Sequence, residues 1–122
     1  MKIKMNSNRG IMWRQIKGNK YGNIERVYNG RIYHSKKEAE YAFELDIRKK
    51  AGEIKEWIPQ YKINLKVNGY HIANYYVDFK VIMANGSEEL HEVKGFSTEV
   101  WRLKWKLTEA LFGDEYNLVV IK

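Results

Sequence analysis

Cysteine is missing from this sequence, which excludes a disulfide framework and any thiolate metal site. Also missing are an apolar run long enough to span a bilayer and a leader of the signal-peptide kind, so a cytoplasmic protein is the expectation. There is no internal repeat, low-complexity tract or second linker. The three histidines, His34, His71 and His91, have no metal-ligand spacing and receive no role.

Carboxylates are scarce in one part of the chain only. Residues 1–31 hold eight Lys and Arg against the single acid Glu25, whereas residues 32–122 hold 14 basic and 14 acidic groups. The net charge of +7 therefore sits in the first quarter. With Gly10, Gly18 and no sustained hydrophobic period, residues 1–19 read as a basic arm leading into one domain over residues 20–122. A chain of 122 residues with 44% hydrophobic content builds one core and not two. Evenly spread charge would serve solubility, but charge segregated on an arm points to a polyanion. A membrane surface is set aside, because the arm lacks the apolar stripe of an interfacial helix.

Turn and cap signals divide the body. An extended piece around residues 25–33 turns at Asn29-Gly30. Ser35 then caps a helix of about four turns, whose last turn carries Arg48, Lys49 and Lys50 and which Gly52 ends. Antiparallel hairpins follow: a short strand near residues 54–58, an alternating strand with Tyr61, Ile63, Leu65 and Val67, an Asn68-Gly69 turn, a long strand over about 70–83, and a strand over 88–94. A second helix runs from Thr98 to about Phe112, stopped by Gly113, and "YNLVVIK" closes the chain as a buried strand. This order gives an α/β or α+β fold with a sheet flanked by helices.

Strand alternation puts Tyr76, Asp78 and Lys80 on one face and Val77, Phe79 and Val81 on the other, while Leu90, Glu92 and Lys94 share a face of the next strand. Whether the two carboxylates meet depends on the hairpin. A two-residue loop, Asn85-Gly86, would set Asp78 opposite Val93 and separate the acids. A three-residue loop, Asn85-Gly86-Ser87, would set Asp78 opposite Lys94, with Glu92 diagonal to it on the same face. Clustered acids repel unless a cation lies between them, and hard oxygen ligands suit Mg²⁺ or Mn²⁺. A nearby lysine can then orient a metal-bound water and offset the charge of a developing phosphorane. The competing reading of Glu-x-Lys is a cross-strand ion-pair network on a solvated face.

Glu38 in a helix, "YYVDF" with Asp78, thirteen intervening residues, "EVKG" with Glu92 and Lys94, and the basic helix "WRLKWKLTEAL" form an ordered set. That set resembles the PD-(D/E)XK nuclease superfamily. "KYGN", "YHSKKEAEYAFEL", "KAGEI" and "VKGF" further resemble a family of small phage-encoded proteins, regarded as endonucleases of the phage endonuclease I or Holliday junction resolvase type, over residues 20–112. The resemblance implies a restriction-endonuclease-like αβββαβ core, dependence on Mg²⁺ with Mn²⁺ as substitute, branched or junction DNA as substrate, and a homodimer. It assigns Asp78, Glu92 and Glu38 to the metal and Lys94 to catalysis. Two departures stand out. Val77 occupies the place of the superfamily's proline, and Pro59-Gln60 reverses the family's Gln-Pro, which leaves Gln60 without a transferred role. Glu38 has a second reading, since Ser35-Lys36-Lys37-Glu38 is a capping box, and Glu40 is the alternative helical acid.

Phosphate contacts are expected from Arg14, Lys17, Lys20, Lys36, Lys37, Arg102, Lys104 and Lys106. The C-terminal helix carries two apolar stripes, Val100/Leu103/Leu107/Ala110/Leu111 and Trp101/Trp105/Phe112, where packing on one sheet needs one. The other is core or a dimer contact. Two rival functions share these features: a non-catalytic nucleic-acid-binding module of the same fold, and an RNA-processing nuclease.

Overall fold

Asn-Gly pairs fold the chain back where the sequence places them. In the computed structural model, which describes residues 26–95 and 97–122, Asn29-Gly30 and Asn68-Gly69 each have φ of 52° and 82°. Positive φ at both central residues is what a two-residue type I′ hairpin turn requires. The basic arm, including Arg14 and Lys17, lies outside the described residues, as do Lys20 and Phe96 of "VKGF".

The chain divides into two units, Met1–Glu40 and Tyr41–Lys122. In the described part of the first, β1 (Val27–Tyr28) and β2 (Arg31–Ile32) pair antiparallel across the Asn29-Gly30 turn. Helix α1 (Lys36–Lys50) begins there, with Ser35 Oγ accepting the Glu38 N–H at 3.1 Å, as the capping residues require. Its C-terminal end belongs to the second unit. There Gly52 takes φ +83°, and the Glu53 and Gly52 N–H groups donate to the carbonyls of Arg48 and Lys49 at 3.0 and 3.1 Å. This closes the helix as a Schellman-type end.

The second unit holds one four-stranded sheet in the order β3 (Ile54–Val67), β4 (Tyr70–Met83), β5 (Glu88–Val93), β6 (Asn117–Ile121). The first three strands are antiparallel, and α2 (Glu99–Phe112) crosses over to return β6 parallel to β5. The architecture is therefore α+β, with a mixed sheet and helices, as expected. Two details differ. The segments near 54–58 and 61–67 form a single strand, because the ladder to β4 continues past Pro59. The terminal strand is half-buried rather than buried, since it is an edge with one neighbour.

The alternation along β4 also departs from simple period two. Phe79 pairs with His91, and its ring meets Tyr41 of α1 and Trp57 at 5.5 and 5.6 Å. Val77, two residues earlier, packs instead with Ile63, Leu65, Tyr75, Leu90 and Trp105 of α2. Leu90 lies on the opposite face from His91, so β4 exchanges faces between Val77 and Phe79. The cause sits across the ladder, where Gln60 takes φ 51° and the Gln60–Asp78 pair is skipped between Pro59–Phe79 and Tyr61–Val77. A left-handed non-glycine residue inside a strand is a local kink. Its consequence is three consecutive buried residues, Val77, Asp78 and Phe79. Leu65, Val77, Phe79, Val81 and Leu90 are fully buried, each contributing about 1.5–3 kcal/mol of transfer free energy. Asp78 is therefore flanked on both sides by fully buried apolar residues. Among the described residues no helix is long and apolar enough to cross a membrane.

Candidate active site

The β4–β5 hairpin decides where the acids fall. The Met83 N–H donates to the Ser87 carbonyl at 2.8 Å and the Gly86 N–H to the Met83 carbonyl at 2.9 Å, so the loop is Ala84-Asn85-Gly86. Of the two lengths that the sequence leaves open, three residues is the one found, but the loop starts one position earlier than Asn85-Gly86-Ser87. The reason is Gly86, whose φ of +90° puts it in the left-handed last position of such a loop. Ser87 is thereby returned to the ladder, its N–H and hydroxyl donating to Asn85 Oδ1 at 2.9 and 2.8 Å. The register runs Ile82–Glu88, Val81–Glu89, Lys80–Leu90, Phe79–His91. This register excludes the one that would set Asp78 opposite Lys94. The paired ladder ends at Phe79–His91, and just beyond it the Asp78 N–H reaches the Glu92 carboxylate, which brings the two acids together.

Both carboxylates are buried, Asp78 at 6% and Glu92 at 5% exposure. Asp78 Oδ2 accepts the Val93 N–H at 2.8 Å. Glu92 Oε1 accepts the Tyr75 hydroxyl at 2.6 Å and the Asp78 N–H at 3.3 Å, while its Oε2 lies 3.8 Å from Lys94 Nζ. Glu92 and Lys94 thus share a face, as the alternation requires. Lys94 is itself held with its ammonium 4.7 Å from the centre of the Trp101 ring, and Trp101 Nε1 donates to the Tyr75 hydroxyl at 3.0 Å. Trp101 stands in the first turn of α2, where Thr98 Oγ1 caps the helix by accepting its backbone N–H at 3.0 Å.

Burial, and then the charge of Asp78, push the Glu92 carboxyl up to about 7, against hydrogen bonds from Tyr75 and the Asp78 N–H and the charge of Lys94, which favour ionisation. The Tyr75 phenol is raised well above its ordinary range, first by burial and then by Glu92. It stays a donor. A buried acid pair that resists ionising twice retains a proton that a cation can replace. Among the described residues no group of three or more His, Asp or Glu converges tightly enough to hold a metal ion by itself. What the described residues would offer a cation here is the Asp78–Glu92 pair. That donor set fits Mg²⁺, which takes one or two carboxylates, keeps several waters and completes its shell with phosphate oxygens.

The remaining predicted residues sit as follows. Glu38 belongs to the first unit and is buried, whereas Glu40 is exposed, on the solvent side of α1 with Phe43 and Ile47. Lys36, Lys37 and Lys106 are exposed. Arg102 donates to the Ser97 carbonyl and hydroxyl at 3.2 and 3.3 Å, and Lys104 to the Asn74 carbonyl at 3.1 Å. His91 points away from Glu92, accepting or donating at Tyr41 (2.6 Å) and Glu89 (2.8 Å) on the opposite face. Trp101, Trp105 and Phe112 pack on the sheet, while Val100 and Leu103 remain 64% and 62% exposed.

Sequence reasoning missed Tyr75 and Trp101. Tyr75 received no role, and Trp101 stood in an apolar stripe open to a core or a dimer reading. The available signal was chemical, since a buried Tyr hydroxyl or Trp N–H needs a polar partner. No curated protein and no solved structure matches the chain. Residues 18–122 match a family described as "Protein of unknown function (DUF1064)", and the chain belongs to that family.

Proposed function

We propose that this protein is a Mg²⁺-dependent DNA endonuclease selective for branched substrates such as four-way junctions. The observation that supports it best is the Asp78–Glu92 pair. Two buried carboxylates brought together just past the end of the β4–β5 ladder, with an ammonium beside them, are unfavourable alone and become favourable around a divalent cation. When bound, the cation supplies a polarised phosphoryl oxygen and a more acidic water. Asp78 and Glu92 hold it. Lys94 orients the attacking water and offsets negative charge gathering on the phosphorus centre. Water oxygen bonds to phosphorus, the phosphorus–oxygen bond to the leaving strand breaks, and the proton passes to solvent or to the leaving oxygen.

Incubation of supercoiled plasmid, linear duplex, flap and four-way-junction DNA with Mg²⁺ tests this, with chelator as control. Metal-dependent cleavage, fastest on the junction, is the expected result. Binding without cleavage on every substrate would replace the enzyme with a non-catalytic nucleic-acid module, and cleavage of RNA alone would move the substrate. For Glu38, assigned by resemblance, Glu38→Gln is expected to slow cleavage and Glu40→Gln to leave it unchanged. The homodimer proposed with junction specificity is read from the mass in solution by light scattering.

The arm contributes through charge. Deleting residues 1–19 removes Lys2, Lys4, Arg9, Arg14 and Lys17. Every one of these cations that neutralises a phosphate steepens the log–log salt dependence of duplex binding by about 0.9, so the deletion is expected to flatten it in steps of that size. An unchanged slope would mean that the arm does not touch phosphate.

A further inference from the structure

We infer that Trp101 and Tyr75 are positioning residues which fix one oxygen of Glu92, and the ammonium of Lys94, for a divalent cation and its water; this rests on the metal-site reading above. A phenol hydroxyl has one hydrogen and rotates, so Tyr75 alone commits to no partner. The Trp101 indole N–H donates to its oxygen at 3.0 Å and thereby leaves the phenol hydrogen for Glu92 Oε1 at 2.6 Å. The same Oε1 also takes the Asp78 N–H at 3.3 Å. With Oε1 occupied twice, Oε2 on the Lys94 side is the oxygen left to a cation. Glu92 would therefore hold a cation through Oε2.

The same indole also acts through its face. Lys94 carries its charge on a flexible four-carbon stem, and its contact with Glu92 is long at 3.8 Å. The ring, 4.7 Å from Nζ, supplies the second restraint through cation–π attraction. Trp101 is in turn fixed by stacking on Trp105 at 5.6 Å with 24° between planes. Edge and face of one side chain thus hold the acid, through Tyr75, and the ammonium directly.

Four full-length variants test the inference: Tyr75→Phe, Trp101→Phe, the double variant, and Trp101→Leu. Mn²⁺ affinity is measured by titration calorimetry without DNA, and kcat and KM are measured on junction DNA. Partners that orient a ligand are worth about 10–100-fold in metal affinity, so Tyr75→Phe is expected to weaken Mn²⁺ binding about 10-fold and to lower kcat with KM for DNA unchanged. The double variant is expected to bind Mn²⁺ no more weakly than Tyr75→Phe, because the indole N–H acts on Glu92 only through that hydroxyl. Trp101→Leu is expected to match Trp101→Phe in Mn²⁺ affinity but to lose more kcat, through Lys94. Tyr75→Phe and Trp101→Phe keep an aromatic ring, and if one fails to fold the other carries the test. Wild-type Mn²⁺ affinity in the folded single variants, or additive losses in the double, would overturn the inference alone. A wild-type protein that neither binds Mn²⁺ nor cuts would overturn the metal-site reading beneath it.

Discussion

Glu92→Gln lowers the cleavage rate by at least about 10²-fold, the order associated with removing a principal electrostatic contribution to a transition state, while DNA affinity without metal stays level or rises. The substitution keeps volume and removes an acid from a pair of buried, adjacent carboxylates. The negative field that attracts the cation weakens, and so does the repulsion of an incoming phosphate. Lys94→Met stops cleavage as well, but its effect on binding has the other sign. It deletes the cation held between Glu92 Oε2 and the Trp101 ring, so affinity drops slightly. Equal loss of rate with opposite shifts in affinity distinguishes a metal and water site from an ion pair, in which either partner's removal would leave chemistry alone. Cleavage assays and anisotropy titrations on the same junction decide it. Wild-type rates in both variants would make Glu92 and Lys94 structural and end the enzyme reading.

Much of this site was legible because strand periodicity and turn chemistry are local. Glu92 and Lys94 share a face since side chains alternate, and a glycine able to take positive φ marks where the β4–β5 chain turns back. The starting position of that loop was not legible. Asn85-Gly86-Ser87 and Ala84-Asn85-Gly86 contain the same glycine, and only its place as the last loop residue selects the second. The kink at Gln60 was hidden for a related reason. A left-handed glutamine inside a strand goes against local preference and persists because packing on both sheet faces over-determines it. It is this non-local feature that buries Asp78 between Val77 and Phe79. Tyr75 and Trp101 were illegible in a third way. Their polar atoms matter only through partners 17 and 26 residues away in sequence, a relation that no periodicity encodes.

Stability responds to Glu92 in the opposite sense from activity. The carboxyl is raised to about 7 in the folded chain by burial and by Asp78, while its ordinary value is 4.5. Because the folded value is the higher one, the native state holds a proton that the unfolded chain releases. Glu92 therefore contributes its full stability below about pH 4.5 and loses it as pH rises through 7. By pH 8, without metal, the fold must carry two ionised neighbours, at a cost on the order of 2–3 kcal/mol. Glu92→Gln removes that penalty. In chelator at pH 8 the variant is expected to melt higher than the wild type, by roughly 10 °C on the scale of a small domain, with the gap closing toward pH 4.5. Mg²⁺ at pH 8 is expected to raise the melting temperature of the wild type and to do little for the variant, since a ligand stabilises only the state that binds it. Thermal melts by circular dichroism across this pH range, with and without Mg²⁺, give the answer. A variant less stable than the wild type at pH 8 in chelator would show that Glu92 is held by a net favourable pairing with Lys94, and that the acid pair is not poised for a cation.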